Sequence, residues 1–270
     1  MNMRYIQPVP SFQQEVFRVE VDGTPAYAKR IVSDYSWWTF DDTDIFTRET
    51  ESYALLNGMG IGPQLLCLDA TRKEFAVAEL PHLRPGKEAV ETFLDNLVIL
   101  LERLSRLTAP NLQTYTAKAM AALFRSRGEQ ANVAPVLLSE ITQMLNGWHD
   151  VYGSGVSYTH GDLHLGNILS DGSNVTGVID FEETIQSLPV FDATNLSWTV
   201  KVVFGEGAYR HFKEAYEKSS GTALIDLNEW GRFCHLRGWI ASCYLKHCGS
   251  AMLQEKARNF MSDEEPQSHP

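Results

Sequence analysis

The pattern of hydrophobic and polar positions predicts strands in the first third of the chain. Alternating or β-branched runs occupy residues 15–21 (EVFRVEV) and 26–31 (AYAKRI), and the Asp22-Gly23 dipeptide between them is typical of a tight hairpin. Two more apolar runs, at 64–69 and 75–80 (FAVAEL), also predict strands. We therefore expect the first two runs to begin an antiparallel sheet.

Helical periodicity dominates the remainder of the chain. From Thr47, the segment TRETESYALLNGMG places charges early and glycines at its end, which predicts a helix between the two strand pairs. After residue 81, apolar side chains recur at three- and four-residue steps, at Val90, Phe93, Leu94, Leu97, Leu101, Leu104 and Leu107. Further helical runs cover 136–148, 205–217 and 228–248. We interpret these as core-packing helices, and strands followed by helices predict the α+β class.

The segment 158–183, YTHGDLHLGNILSDGSNVTGVIDFEE, carries the most informative pattern in the chain. Two β-prone runs, 168–169 and 175–179, flank the turn sequence Ser-Asp-Gly-Ser-Asn, and this combination predicts a hairpin. Three polar residues flank the hairpin, namely Asp162, Asn167 and Asp180. Carboxylate and amide oxygens are the hard ligands that suit Mg²⁺. The pattern therefore predicts a magnesium site and one further carboxylate beside the hairpin.

The order of residues in this segment resembles that of kinase active sites. Protein kinases carry the catalytic loop H-R-D-x-x-x-x-N followed by D-F-G. Here HGDLHLGNIL keeps the spacing from Asp162 to Asn167, and VIDFEE places D-F after a strand. The chain is similar to the aminoglycoside phosphotransferase and choline kinase family of small-molecule kinases. Gly161 in place of arginine, together with His164, favours this branch over the protein kinases.

This resemblance implies a bilobal, protein-kinase-like fold. A small antiparallel sheet would form an N-terminal nucleotide-binding lobe (1–80), and helices would form a C-terminal lobe (81–270) that contains the catalytic hairpin. The resemblance also implies transfer of the γ-phosphoryl group of ATP or GTP to a hydroxyl of a small molecule. Asp162 would orient that hydroxyl and take its proton, while Asn167 and Asp180 would hold Mg²⁺.

The resemblance further implies nucleotide-binding roles in the first lobe. Lys29, on the second predicted strand, would contact the nucleotide phosphates, and a glutamate of the next helix would pair with it. Glu49 and Glu51 lie about 200° apart on a helix, so only one can face the sheet. The alignment of the following loop favours Glu49 and leaves Glu51 as the alternative. The Ala78 carbonyl and the Leu80 amide would recognise adenine.

Two further stretches in the first 46 residues have more than one interpretation. The loop 8–14 (PVPSFQQ) lacks glycines that would let backbone amides approach phosphates closely, so Ser11 and Gln13 are candidates for side-chain contacts. The alternative is an ordinary polar loop that enters the strand and has no contact with phosphate. The segment 31–46 contains the Trp37-Trp38 pair. It is either a flap near the site or, as we favour, a surface loop whose aromatic side chains pack down.

Three polar residues near the motif have two interpretations each. His160 and His164 could be hydrogen-bonded scaffold residues or participants in the reaction. Asp192, in PVFDATNL, matches a family aspartate that braces the catalytic loop, but it would serve nearly as well as a helix N-cap.

Charge narrows the range of partners. The 270-residue chain has a net charge of −11, which argues against a nucleic-acid partner and would attract a cationic small molecule. Glu182, Glu183 and Glu229 lie near or beyond the hairpin, so we favour an aminoglycoside-like acceptor. Choline, homoserine, macrolide and sugar acceptors are alternatives within the family. A non-catalytic kinase-like binding module is a further alternative.

The sequence carries no pattern typical of a secreted or membrane protein. The N-terminal MNMRYIQPVP lacks the apolar run of a signal peptide, and no segment approaches 18 uninterrupted apolar residues. The four cysteines show neither C-x-x-C pairing nor zinc-site spacing. We expect a cytoplasmic protein without membrane partners, either a monomer or a homodimer.

Overall fold

The computed structural model describes residues 2–11, 13–38, 40–107, 109 and 111–248. The strands are β1 (Met3–Val9), β2 (Glu15–Val21), β3 (Thr24–Arg30), β4 (Tyr35–Ser36), β5 (Asp41–Asp42), β6 (Leu65–Asp69), β7 (Glu74–Ala78), β8 (His82–Leu83), β9 (Ser157–Thr159), β10 (Ile168–Asp171), β11 (Val175–Val178) and β12 (Ile185–Ser187). The helices are α1 (Ile45–Asn57), α2 (Val90–Ser105), α3 (Ala117–Gln130), α4 (Pro135–Tyr152), α5 (Val190–Phe204), α6 (Glu206–Ser220) and α7 (Leu227–Cys248).

Five of the strands form one antiparallel sheet with the order β1-β2-β3-β7-β6. Because successive side chains of a strand point to opposite faces, each strand contributes to two clusters. On β7, Phe75 and Val77 join the main core, whereas Ala76 joins a smaller cluster with Val19 and Ala28 on the other face. Both faces of the sheet therefore bury apolar side chains, and the face that joins the main core is directed toward α1 and the hairpin.

Helix α1 packs one face against this sheet. The Asp44 carboxylate caps its N-terminus by accepting a hydrogen bond from the Thr47 amide at 3.1 Å, a contact worth about 1 kcal/mol. The buried positions Phe46, Glu49, Tyr53 and Leu56 follow helical spacing. Glu49 thus shares a buried face with Phe46, Tyr53 and Leu56, and this placement brings it to the sheet.

Two small sheets hold the segment 158–183 in place. Strand β10 pairs antiparallel with β11 and parallel with β8, so the hairpin is tied to the chain that leaves the large sheet. Strand β9 pairs antiparallel with β12, with Thr159 opposite Ile185. These pairings fix both ends of the segment that carries Asp162, Asn167 and Asp180.

The helices pack around an aromatic cluster made of Trp148, Phe191, Trp230 and Phe233. Ring centroids within this cluster lie 4.9–6.2 Å apart, a spacing at which aromatic pairs attract beyond simple burial. Trp38, from the first third of the chain, stacks on Phe191 at 5.8 Å. The main core is therefore continuous from the sheet to the helices. The division of the chain into two lobes at residue 80 stays a prediction.

The predicted elements are confirmed to within a few residues. The helix predicted from Thr47 begins at Ile45, and the helix predicted over 136–148 is α4, Pro135–Tyr152. The α+β class with an antiparallel sheet is confirmed. In the described part of the chain, no helix combines the length and apolar character needed to span a membrane.

Three elements longer than three residues were not predicted, each for a physical reason. Strand β1 is an edge strand with mostly exposed side chains, and it contains Pro8, which an edge tolerates because a proline cannot donate to a second neighbour. Helix α5 is rich in valine and threonine, which by propensity favour strands. Helix α3 buries mainly small side chains and gives a weak periodic signal.

Candidate active site

The catalytic hairpin brings Asn167 and Asp180 to one edge. Asn167 directly precedes β10 and Asp180 follows β11, and the Ile179 amide donates to the Asn167 carbonyl at 3.0 Å. Both side chains line a cleft of about 460 Å³, which we call the donor cleft. The Asn167 amide nitrogen donates to the Asp162 carbonyl at 3.0 Å, so the side-chain oxygen is the atom that could bind a metal.

Asp180 is held in an uncommon backbone conformation. Its φ is +70°, in the left-handed region that non-glycine residues seldom adopt. The Lys29 ammonium contacts its carboxylate at 2.6 Å. Burial raises the pKa of Asp180, but Lys29 outweighs burial, so that the pKa is lowered overall. The carboxylate is therefore kept ionised at the edge of the cleft.

Lys29 lies among three carboxylates. It forms ion pairs with Glu49, with Asp180 and, at 2.6 Å, with Glu182. Burial alone would lower the pKa of Lys29, but the three carboxylates raise it well above its usual value. Burial raises the pKa of Glu49, and the adjacent Lys29 ammonium opposes this shift. We conclude that Lys29 is a fixed cation whose position depends on these partners.

The structure distinguishes between the two glutamates of α1. Glu49 is fully buried and bonded to Lys29, and its second oxygen accepts from the Phe181 amide at 3.4 Å. Glu51 is exposed and accepts from Asn111 at 3.3 Å. Glu49 is the lysine partner, as favoured from sequence.

The donor cleft collects most of the residues predicted to bind nucleotide. Its lining includes Ser11, Lys29, Ala78 and Leu80. Gln13 was a candidate phosphate contact, but its side chain is buried and bonded elsewhere. Its amide nitrogen donates to the Tyr35 carbonyl at 2.7 Å, and its oxygen accepts from the Trp37 indole at 3.1 Å. The Gln13 prediction is therefore wrong, because the residue anchors the following loop.

A buried aspartate braces the catalytic loop. Asp192 accepts hydrogen bonds from the His160 amide at 2.6 Å and from the Gly161 amide at 3.0 Å. Burial raises the pKa of Asp192 to about 7, although these amides act in the opposite direction. Pro189 occupies the N-cap of α5. The bracing interpretation of Asp192 therefore holds, and the N-cap interpretation does not.

His160 is a scaffold residue. It is fully buried, its Nε2 lies 3.0 Å from the Ile179 carbonyl, and its Nδ1 accepts from the Asp162 amide at 3.3 Å. Burial lowers the pKa of His160, which favours a neutral ring with the proton on Nε2. The ring thus links the loop to the strand that leads to Asp180.

Glycine is required between His160 and Asp162. Gly161 has a φ of +81°, and a Cβ at this position would lie 2.2 Å from the Glu183 carbonyl oxygen. Any residue other than glycine is therefore disfavoured at this position, both by backbone strain and by a clash between its Cβ and the Glu183 carbonyl. This explains the glycine that distinguished the motif from the protein-kinase loop.

Asp162 faces a second cleft, which we call the acceptor cleft. It has a volume of about 310 Å³ and is lined by Trp37, Trp38, Gly161, Asp162, Glu183, Cys234, Arg237 and Gly238. The Asp162 side chain is 48% exposed, and its carboxylate lies 3.6 Å from His164 Nε2. The contact with the Asp162 carboxylate raises the pKa of His164, although burial opposes this effect. His164 is therefore placed to influence Asp162 directly.

The Trp37-Trp38 segment is bound to the catalytic loop. Glu183 accepts from the amides of Trp37 and Trp38 at 2.8 and 3.0 Å and from the Ser36 hydroxyl at 2.7 Å. The Trp38 indole donates to the Gly161 carbonyl at 2.5 Å. Trp38 is buried, as favoured from sequence, yet the segment also lines the acceptor cleft. The two alternatives are therefore both partly correct.

The carboxylates suggested as cation-binding groups are engaged in other contacts. Glu182 pairs with Lys29, Glu183 is buried against the Trp37-Trp38 segment, and Glu229 accepts from the Trp148 indole at 2.8 Å. The structural basis for a cationic acceptor is therefore weaker than the net charge suggests.

Two contributions to the site were not found from sequence. Arg48 is buried and donates to the Glu182 carbonyl at 2.6 Å, which positions the chain after Asp180. Arg237 reaches the acceptor cleft from α7. Arg237 lies 75 residues after Asp162 on an ordinary amphipathic helix, so no local motif marks it.

The donor cleft offers ligands suited to Mg²⁺. Asn167 and Asp180 provide an amide oxygen and an ionised carboxylate on the same wall. Ligand atoms of Glu49, Asp180 and Glu182 also lie within 4.8 Å of one another. Because Lys29 pairs with all three of these carboxylates, we attribute that cluster to the lysine.

Several solved structures share this fold. Aminoglycoside phosphotransferase APH(3'')-Id from Streptomyces rimosus is 20% identical over 85% of this chain and 90% of that chain, with a TM-score of 0.61. Macrolide 2'-phosphotransferase MphH from Brachybacterium faecium is 14% identical over 98% and 93%, with a TM-score of 0.65. A choline/ethanolamine kinase family protein from Mesorhizobium loti is 14% identical over 92% and 82%, with a TM-score of 0.62. The kinase-like fold is thereby confirmed.

A comparison with curated protein sequences found no match. The sequence profile of the phosphotransferase enzyme family, APH, matches residues 6–232. The match extends from β1 into α7 and includes the whole catalytic hairpin. On this basis the chain belongs to the phosphotransferase enzyme family.

Proposed function

We propose that the enzyme transfers the γ-phosphoryl group of a nucleoside triphosphate to a hydroxyl of a small molecule. One observation carries this proposal: the catalytic loop lies between two clefts and contributes to both. The donor cleft contains Lys29, Asn167 and Asp180, whereas Asp162 lines the acceptor cleft. A base on one side and charge-binding groups on the other are the arrangement that phosphoryl transfer needs.

The reaction is balanced by the groups present. The acceptor hydroxyl oxygen forms a bond to the γ-phosphorus while the bond from that phosphorus to the β–γ bridging oxygen breaks. Asp162 takes the hydroxyl proton, and a nucleoside diphosphate leaves. Because the transition state is loose, catalysis depends mainly on positioning and charge stabilisation. Lys29, held by Glu49, would stabilise phosphate charge in this step.

Asn167 and Asp180 would hold Mg²⁺. When bound, the ion would neutralise charge on the β- and γ-phosphate oxygens. The hydrogen bond from Asn167 to the Asp162 carbonyl would fix the orientation of its amide, and the ion pair with Lys29 would fix the Asp180 carboxylate. The metal ligands and the proposed base would therefore keep a constant geometry.

We place the nucleobase of the nucleotide beside Ala78 and Leu80 in the donor cleft. The Ala78 carbonyl and the Leu80 amide would recognise adenine or guanine, and Ser11 would contact the phosphates. The Streptomyces rimosus relative was solved with ADP and streptomycin, and an aminoglycoside 2'-phosphotransferase with GDP. ATP and GTP are therefore both candidate phosphoryl donors.

Use of a nucleoside triphosphate also supports a cytoplasmic location for the enzyme. We propose a monomer or a homodimer as its active form.

Aminoglycoside phosphotransferases among the structural neighbours support an amino-sugar acceptor. The engagement of Glu182, Glu183 and Glu229 removes the local charges on which that prediction depended. At this level we therefore propose only a small hydroxylated acceptor.

The proposal is tested by measuring nucleotide consumption with ATP or GTP and Mg²⁺ across hydroxylated compounds, with product masses recorded. We expect one acceptor class to gain the mass of a phosphoryl group. Release of inorganic phosphate with no phosphorylated acceptor would instead indicate a hydrolase.

A further inference from the structure

The acceptor cleft contains an unusual pair of opposite charges. Asp162 and Arg237 both line it, but they do not form an ion pair with each other. Arg237 also has no carboxylate partner among the described residues. Glu183 also borders the cleft, yet its carboxylate is buried and accepts three hydrogen bonds from the Ser36–Trp38 segment. The cleft therefore presents one carboxylate and one guanidinium to a ligand.

Arg237 is fixed in position without being neutralised. Its guanidinium carbon lies 4.2 Å from the centre of the Trp38 ring, a cation–π contact that orients the group. Trp38 is in turn held by the Gly161 carbonyl and by Phe191. The Nη1 atom of Arg237 is buried, and no described group accepts its hydrogen bonds. A buried donor left unpaired costs about 1–3 kcal/mol.

Another arginine of the same helix behaves differently. Arg232 forms a two-point contact with Glu140, with distances of 2.6 and 2.8 Å. Such a fork-to-fork pair balances the charge of the guanidinium and occupies two of its donors. Of these two arginines of α7, Arg232 is therefore paired with a carboxylate of α4. Arg237 lines the acceptor cleft without a carboxylate partner among the described residues.

We propose that the acceptor carries a carboxylate as well as the reacting hydroxyl, and that Arg237 binds this carboxylate. This inference rests on the proposed phosphoryl transfer and names its acceptor class, a hydroxylated carboxylic acid. The hydroxyl lies at Asp162, which takes its proton as the phosphoryl group is transferred. The carboxylate pairs with the Arg237 guanidinium where that group borders the cleft, so the ligand is oriented from both ends.

The size and charge of the cleft support a small monoanion. Its volume of about 310 Å³ lies near the lower limit for small-molecule sites. One guanidinium balances one carboxylate, whereas a phosphate dianion would retain a charge next to Asp162. A polycationic amino sugar would bring ammonium groups close to Arg237 and find the neighbouring glutamates already engaged.

The first test needs no variant. Initial rates are measured for matched acceptors: hydroxy acids and hydroxy amino acids, their carboxamides, neutral sugars, sugar phosphates and amino sugars. We expect the best acceptor to be a carboxylate, with a KM about 10–100-fold below that of its carboxamide, because a charged hydrogen-bond pair is lost in the amide. A best acceptor that is cationic, neutral or a phosphate ester would overturn the proposal.

The second test uses Arg237→Met. This variant should raise the KM for the carboxylate about 10–100-fold and remove the preference over the carboxamide. Arg237→Lys should recover part of the preference. Lys246→Met, which removes an exposed charge from the same helix, should leave both constants unchanged. An unaltered acid-to-amide ratio in Arg237→Met would contradict the proposal.

Calorimetric titration with Mg²⁺ and a non-hydrolysable nucleotide separates failure of this inference from failure of the proposed function. Arg237→Met should bind nucleotide as the wild type does, which also shows that the variant is folded. Transfer to a non-carboxylate acceptor would leave the phosphotransferase function intact and reject the Arg237 assignment. Absence of nucleotide binding by the wild type would reject both.

Discussion

The donor cleft and the acceptor cleft treat their charges in opposite ways. In the donor cleft, Lys29 contacts three carboxylates, so its charge is satisfied within the protein. In the acceptor cleft, Arg237 contacts Trp38 but forms no ion pair with any described carboxylate. The first arrangement holds a cation in place by protein contacts, whereas the second leaves a guanidinium beside the cleft without a carboxylate partner among the described residues. The contrast indicates that the donor side is built for positioning and the acceptor side for selection.

Asp162→Asn should separate the two clefts most strongly. Turnover should fall by about 10²–10⁴ because the variant cannot take the hydroxyl proton. Nucleotide affinity should stay within a few-fold, since Asp162 lines the acceptor cleft and is not among the residues that line the donor cleft. Rates and calorimetric titrations measure the two effects, and the exposed Asp150→Asn serves as control. An active Asp162→Asn enzyme would contradict the assignment of Asp162 as the base.

Asp180→Ala should produce the complementary effect. Removing this carboxylate should weaken Mg²⁺-nucleotide binding by at least about 10-fold, and the acceptor KM should change little. Titrations with and without Mg²⁺ give the comparison. Equal Mg²⁺-dependent affinity in wild type and variant would show that Asp180 is not a metal ligand.

Glu49→Gln tests how far the donor side depends on positioning. The variant keeps the shape of the side chain but weakens its hold on Lys29, so the nucleotide KM should rise about 10-fold. Glu51→Gln is a matched control two residues away on the exposed face of α1. If both variants changed the nucleotide KM equally, the Lys29–Glu49 pair would have no specific role.

His164→Asn should have the smallest effect, on pH dependence. The contact with Asp162 raises the pKa of His164, so the ring stays protonated to higher pH. The protonated ring pairs with the Asp162 carboxylate and makes it less available to take the hydroxyl proton. Turnover should therefore increase as pH rises through that pKa, a few-fold in total. Asparagine can still accept from the Gly166 amide, as His164 Nδ1 does at 3.0 Å. The acidic limb of the pH–rate profile should shrink in the variant, and an unchanged limb would exclude His164 as its origin.

The sequence alone was sufficient wherever function and spacing are local. The turn between 168 and 179 fixes the hairpin, and the spacing around it places Asn167 and Asp180 on one edge. Helical periodicity likewise separates Glu49 from Glu51, because residues two apart cannot share a face. The α+β class and the family followed from these same local patterns.

Only the tertiary structure decided the composition of the acceptor cleft. Trp38, Asp162 and Arg237 come from three distant segments, and their meeting depends on how α7 and the Trp37-Trp38 segment pack on the catalytic loop. The tertiary structure also decided that Glu182 pairs with Lys29 and is therefore not available to bind a cationic acceptor. The sequence shows which charges a chain carries, but pairing depends on distances of a few ångströms between remote segments, which packing alone sets.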